Sequence, residues 1–246
     1  MRRRLGTAVA MGCAAVLLSP GLGQAAEPAL SFDFNDVATT QPDGGPAISG
    51  CLAGSGEDAK IGCVVARGRG EVQAVAGASG RPGDWALRFP GPGQGTAVLE
   101  VADAPDLNPD TKDFTATAQV RLDTLPGPSG YNVIQKGRYR TRGGQWKMQV
   151  DQAGPDCRVA GRRGKTESGT LVAAPRQLPL HEWHTITCVR HGDQLRILID
   201  GQERGATSGA DLDVSNDAPV LIAGKHSGAP NDQLHGAVDN VGLTID

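Results

Sequence analysis

Residues 136–142 read Lys-Gly-Arg-Tyr-Arg-Thr-Arg, which places Lys136, Arg138, Arg140 and Arg142 around one aromatic ring, Tyr139. A guanidinium fork matches sulfate, phosphate or carboxylate, so such a run suits an anionic polymer or an acidic glycan. It also reads as a solvated hairpin tip. Arg158, Arg162, Arg163 and Lys165 form a second basic group that could join the first. Neutral sugars need exposed aromatic faces instead, and the chain has 3 Trp and 2 Tyr. Trp85, Trp146 and Trp183 fall in strand patterns and read as core, which leaves Tyr131 and Tyr139 as surface candidates.

Catalytic patterns are missing. His181-Glu182-Trp183-His184 imitates a zinc-protease motif, but the histidines are three apart rather than four, at the start of a strand rather than on a helix. They read as turn and strand-edge residues. There is no Gly-x-Ser-x-Gly elbow.

The elements that would position these side chains are strands. Residues 183–190 are β-branched and aromatic, 191–193 supply a polar turn, 195–199 alternate Leu, Ile and Ile with Arg and Leu, and Asp200-Gly201 favours a tight hairpin turn. This predicts a three-strand antiparallel meander. Residues 114–122 alternate Phe, Ala, Ala, Val and Leu with Thr, Thr, Gln and Arg, the pattern of a sheet with one face packed. Further strands are predicted at 29–34, 85–89, 96–101, 131–135, 145–150, 157–160, 171–174, 220–223 and 237–245, with a loop or single helical turn at 106–109. With 35 Gly and 16 Pro, no long helical periodicity and no fixed repeat, the chain reads as one all-β domain, a two-sheet antiparallel jelly-roll sandwich.

The N-terminus reads as an export signal over residues 1–26: Arg2 to Arg4, an apolar stretch from Leu5 to Leu18 too short to span a bilayer, then small residues before Glu27. No other segment is apolar enough for a membrane span. Loss of the three arginines takes the net charge from −3 to −6, which argues against a nucleic-acid partner. Residues 27–84 read as a first strand plus an irregular glycine-rich loop that has room for two short strands near 61–66 and 72–75, and 85–246 as the core of the same domain. Cys51, Cys63, Cys157 and Cys188 remain after Cys13. In an exported chain they read as disulfides, with three possible pairings. The pairing adopted is Cys51 with Cys63, closing the glycine-rich loop, and Cys157 with Cys188, stapling two strands. A zinc site competes but lacks a Cys-x-x-Cys pair.

W-H-T-I-T-C-V-R followed by L-R-I-L-I-D-G resembles the core of laminin G-like domains, within the concanavalin A-like lectin/glucanase superfamily. A-L-R-F-P-G, V-A-D-A-P-D-L-N-P and D-F-T-A-T-A-Q-V-R-L resemble the front half of such a domain; L-I-A-G and G-A-V-D-N-V resemble the back half. The resemblance covers about 85–246. It implies the same jelly roll and a calcium ion where the first and last strands meet, with Asp239 as one ligand and Asp36 or Asp33 as another, completed by glycine carbonyls. The glycosidase branch carries Glu-x-Asp-x-x-Glu on one strand. Here no two glutamates are closer than 14 residues, so catalysis is not expected. The expectation is a secreted, non-catalytic module that binds carbohydrate or an anionic envelope polymer. The alternatives are an adhesion module for an extracellular protein and, behind it, a glycosidase relative.

Overall fold

The computed structural model describes residues 27–37, 47–56, 58–138 and 141–246. The export signal read at 1–26, and Tyr139 and Arg140, lie outside them. In chain order the strands are β1 (Leu30–Phe32), β2 (Cys51–Ala53), β3 (Ile61–Arg67), β4 (Gln73–Ala76), β5 (Trp85–Arg88), β6 (Thr96–Val101), β7 (Phe114–Leu122), β8 (Tyr131–Lys136), β9 (Gln145–Asp151), β10 (Gly154–Arg163), β11 (Thr166–Ala173), β12 (Trp183–His191), β13 (Gln194–Ile199), β14 (Gln202–Ser208), β15 (Val220–Ile222) and β16 (Gly236–Ile245). A 3-10 turn at Pro105–Leu107 occupies the place of the expected loop or helical turn.

The strands build two eight-stranded antiparallel sheets packed as a jelly-roll sandwich. The first runs β14-β13-β12-β7-β16-β5-β4, with β1 paired to β16; the second runs β11-β10-β9-β8-β15-β6-β3-β2. Side-chain alternation fixes which face of each strand turns inward. In β7 the positions alternate: Phe114, Ala116, Ala118, Val120 and Leu122 are buried, and the residues between them are half-exposed. Opposite them the second sheet contributes Ile134, Trp146, Met148, Val159 and Ile222. The β12-β13-β14 meander forms as expected, and Asp200 (φ 52°) and Gly201 (φ 74°) supply the two left-handed residues that its second turn requires. The 61–76 region gives a strand to each sheet, β3 beside β6 and β4 beside β5.

Only Trp146 of the three tryptophans is fully in the core. Trp85 and Trp183 are half-buried, the latter with the Arg121 guanidinium 5.2 Å from its ring. Both disulfides take the expected pairing. Cys51 and Cys63 face each other across β2 and β3, and Cys157 on β10 joins Cys188 on β12, linking the two sheets through the core. With these four thiols bonded in pairs, none of them is free to hold zinc.

Candidate binding face

On the second sheet, Trp146, Met148 and Val150 of β9 and Cys157 and Val159 of β10 point into the core. Their neighbours Gln145, Lys147, Gln149, Asp156, Arg158 and Ala160 therefore point outward. Strand register sorts these into rows. One row is Asn132, Gln149 and Asp156, and the next is Gln135, Lys147 and Arg158, extended by Leu221 on β15 and Glu100 on β6. The third row is Gln145, Ala160 and Gly169.

This outer face is polar yet poorly solvated. Asn132 is 0% and Asp156 2% exposed, and Gln135, Gln145 and Gln149 are buried beside them. Gln149 Nε2 donates to Asp156 Oδ2 and to Asp151 Oδ2, each at 2.9 Å. Asn132 Nδ2 donates to the Gly224 carbonyl at 3.0 Å. Asn132 Oδ1 and Asp156 Oδ1 accept nothing from the protein. A buried acceptor left empty costs about 1–3 kcal/mol, so these two oxygens are where a hydroxyl donor from water or a ligand gains most. Burial pushes the Asp156 carboxyl up to about 7; Asp151 adds to the rise, and Gln149 and Lys147 oppose it. Burial also lowers the Lys147 ammonium, against the pull of Asp232, Asp156 and Asp151.

These carboxyls tie stability to pH. Asp156 and Asp239, the latter pushed to about 6, both sit above the ordinary 3.8. A raised carboxyl binds its proton more tightly in the fold than in the open chain. The stabilising contribution is thus full below about pH 4 and is lost as pH rises through about 6 for Asp239 and about 7 for Asp156. Asp156→Asn is expected to flatten this decline and to raise stability near neutral pH by about 1–3 kcal/mol. Urea unfolding of both proteins from acid to neutral pH checks it, and an unchanged slope would count against the assignment.

At one edge the face runs into a cavity of about 410 Å³ floored by Gly144, Ala160, Gly161 and Gly169 and bounded by Thr141 and Arg162. Gly144 is left-handed (φ 86°), and a Cβ there would meet the Ala160 carbonyl at 2.1 Å, so the turn can lie this close only as glycine. An adjoining cavity of about 500 Å³ is lined by Arg142 and Arg162 together with Asp103, Asn108 and Asp217. The two basic groups of the sequence thus meet at Arg142 and Arg162.

Of the other basic residues, Arg138 is exposed and, with Lys225, acts on His226, whose ring burial holds below its usual range. Arg163 is turned away to Asp211 and Asp193. Lys136 corrects the expectation of an exposed turn. It ends β8, is 0% exposed, pairs with Asp103 and donates to the Ala218 carbonyl at 2.6 Å. Its neighbour across β9 is Trp146, so its stem follows the core and only the ammonium finds polar partners. Tyr131 is likewise not a surface aromatic. It is buried edge-on against His235, and its hydroxyl donates to the Leu125 carbonyl at 2.9 Å.

Asp239 is buried on β16. Its oxygens accept the Ala78 and Asn240 N–H groups at 2.8 and 2.7 Å; burial raises it first, and Asp84 and Asp33 add to the rise. Asp36 is exposed beyond the left-handed Phe34, and Asp33 is the acid of that segment that acts on Asp239. Among the described residues no three His, Cys, Asp or Glu side chains converge as ion ligands. An ion beside Asp239 would therefore draw most of its ligands from backbone carbonyls.

The sequence reading passed over Asn132, Gln135, Lys147, Gln149 and Asp156. The signal was present in Gln-Trp-Lys-Met-Gln-Val-Asp (145–151), where every polar position is an amide or a charge rather than Thr or Ser.

The family model Laminin_G_3, described as the concanavalin A-like lectin/glucanases superfamily, matches residues 93–243. No curated protein matches. Among solved structures, the binding domain of Paraclostridial Mosquitocidal Protein 1 superposes with a TM-score of 0.56 at 15% identity, covering 80% of this chain and 48% of that one. This chain thus spans about half of that structure. Domain 4 of AbnA, a GH43 extracellular arabinanase from Geobacillus stearothermophilus solved with arabinotriose, gives 0.56 at 10% identity over 89% and 93%. The binding domain of Botulinum Neurotoxin DC in complex with SialylT gives 0.50 at 11% over 76% and 45%. These likenesses establish the fold.

Proposed function

The chain belongs to the concanavalin A-like lectin/glucanases superfamily, and from that premise we propose that it is an exported, non-catalytic module that binds an acidic glycan or a related anionic envelope polymer. The binding face is the outer face of the second sheet. The observation that carries this reading is the pair of buried acceptors without partners, Asn132 Oδ1 and Asp156 Oδ1, set in a polar face edged by Arg142 and Arg162. Sugar hydroxyls would donate to the acceptors while guanidinium groups hold carboxylate or sulfate. The structural neighbours solved with arabinotriose and with SialylT support a saccharide as the class of ligand. Calcium, if bound, would be held by Asp239 with backbone carbonyl oxygens, and would offset the repulsion that Asp84 and Asp33 exert on Asp239.

The test is binding of the processed protein to a panel of neutral, uronic and sialylated glycans and envelope polymers, at low and high salt, with calcium and with chelator. Acidic ligands are expected to bind and to weaken about tenfold at high salt. Loss with chelator would place calcium in the site. Binding to a protein partner and to no glycan or polymer would overturn the proposal.

A further inference from the structure

At the mouth of the sandwich, away from the binding face, His184 occupies a place that the proposed function does not use. Alternation along β12 puts it on the inward side with Ile186 and Cys188. Its Nδ1 lies 2.8 Å from Asp200 Oδ2, and Asp200 Oδ1 accepts the Thr185 N–H at 2.9 Å. Burial pushes the Asp200 carboxyl up, but the bonds from His184 and Thr185 outweigh it and hold the group below its usual range. Asp200 is therefore an acceptor and Nδ1 carries the proton between them, which leaves Nε2 as the second polar atom of the ring. That Nε2 is buried with no hydrogen-bond partner; Glu182 Oε2 stands 4.0 Å away, too far to bond.

His184 and Asp200 wall a cavity of about 390 Å³, within the usual size of small-ligand sites, about 300–1,000 Å³. Leu178, Ile199 and the prolines at 175 and 179 line it with apolar surface, and Arg176 and Arg204 stand at its rim. Among the described residues neither guanidinium has a carboxylate within ion-pair distance, because Asp200 is turned to His184 and Thr185, and Glu203 lies by Arg196. The cavity thus combines Arg176, Arg204 (which also acts on Asp200 from beyond ion-pair distance), a buried imidazole nitrogen without a partner and an apolar wall. An inorganic anion would use only the two arginines, and a neutral sugar only the others.

We propose that this cavity is a second ligand site, for a monomeric sugar acid or similar hydroxy acid. The carboxylate lies with Arg176 and Arg204, a hydroxyl hydrogen-bonds to His184 Nε2 and the ring rests on Leu178 and Ile199. This site is independent of the outer face of the second sheet.

The test is an NMR titration of the imidazole nitrogens of the processed protein with glucuronate, with glucose and inorganic phosphate as controls. The His184 signals are identified by their loss in His184→Gln. Glucuronate is expected to shift the Nε2 signal of His184, and to bind at least tenfold more tightly than glucose or phosphate. The Arg176→Gln, Arg204→Gln double variant, altered only at exposed positions, should weaken it about tenfold with an unchanged melting temperature. Lys147→Ala on the outer face should leave it intact. Equal binding of glucose or phosphate, or a His184 signal unmoved at high glucuronate while the protein stays folded, would overturn the proposal.

Discussion

Arg190→Met is expected to lower stability by about 2–6 kcal/mol, because it leaves buried carbonyls without a donor. Arg190 is 1% exposed at the inward end of β12. Its Nε donates to the Lys112 carbonyl and its Nη1 to the Leu212 carbonyl, each at 2.8 Å. Nη2 donates to Pro109 and Asp110 at 3.1 and 2.9 Å and again to Lys112. The guanidinium stacks 5.0 Å from the Phe114 ring. Burial lowers its pKa to about 10, with Asp113, Asp110 and Asp213 opposing, so it stays charged at neutral pH. Methionine would fill much of the volume but leave the Lys112 and Leu212 carbonyls without a donor, while Pro109 and Asp110 keep the N–H groups of Lys112 and Val214; each emptied acceptor costs about 1–3 kcal/mol. The segment it holds includes Asp213, which exchanges backbone hydrogen bonds with Arg162 at the edge of the binding face. Urea unfolding checks the value; a loss under about 1 kcal/mol would show that the carbonyls find water instead.

The second large effect is expected from Cys157→Ala with Cys188→Ala. The bond closes a span of 31 residues, for which chain entropy gives about 3–4 kcal/mol. It joins β10 to β12 and lies directly beneath the outward row, since Asp156 and Arg158 flank Cys157. The double variant is therefore expected to weaken ligand binding as well as folding. Removing the Cys51–Cys63 bond should do neither to the same degree, because it spans only 12 residues at the sheet edge. Melting curves and binding of the two variants decide between them; equal losses would contradict the role assigned to the inter-sheet bond.

Much of this fold is written in local pattern. Phe114–Leu122 and the β12-β13-β14 meander are legible because each buries one face, so apolar and polar residues must alternate. Residues 61–76 are harder to read. β3 is a strand through pairing with β6, some 30 to 40 residues on, and β4 through a hairpin with β5 whose connection, 77–84, carries little pattern. The site was less legible than the fold. Arg138 and Arg142 are exposed as their turn suggests, but Lys136, two residues before Arg138, ends a strand and is drawn inward by Asp103. Tyr131 reads as a surface aromatic only until Leu125 and His235 close over it. The Asn132, Gln149 and Asp156 row depends on register among three strands, which no single segment encodes. His184 reads as a strand-edge histidine because Asp200, its partner, is 16 residues away.

The most direct test of the binding face compares the unaltered protein with Lys147→Ala, Gln149→Ala and Arg142→Ala on whichever acidic glycan binds most tightly. Each change is expected to weaken binding by about tenfold or more, with the fold intact by melting. Undiminished binding in all three would mean that the outer face of the second sheet is not where the ligand sits.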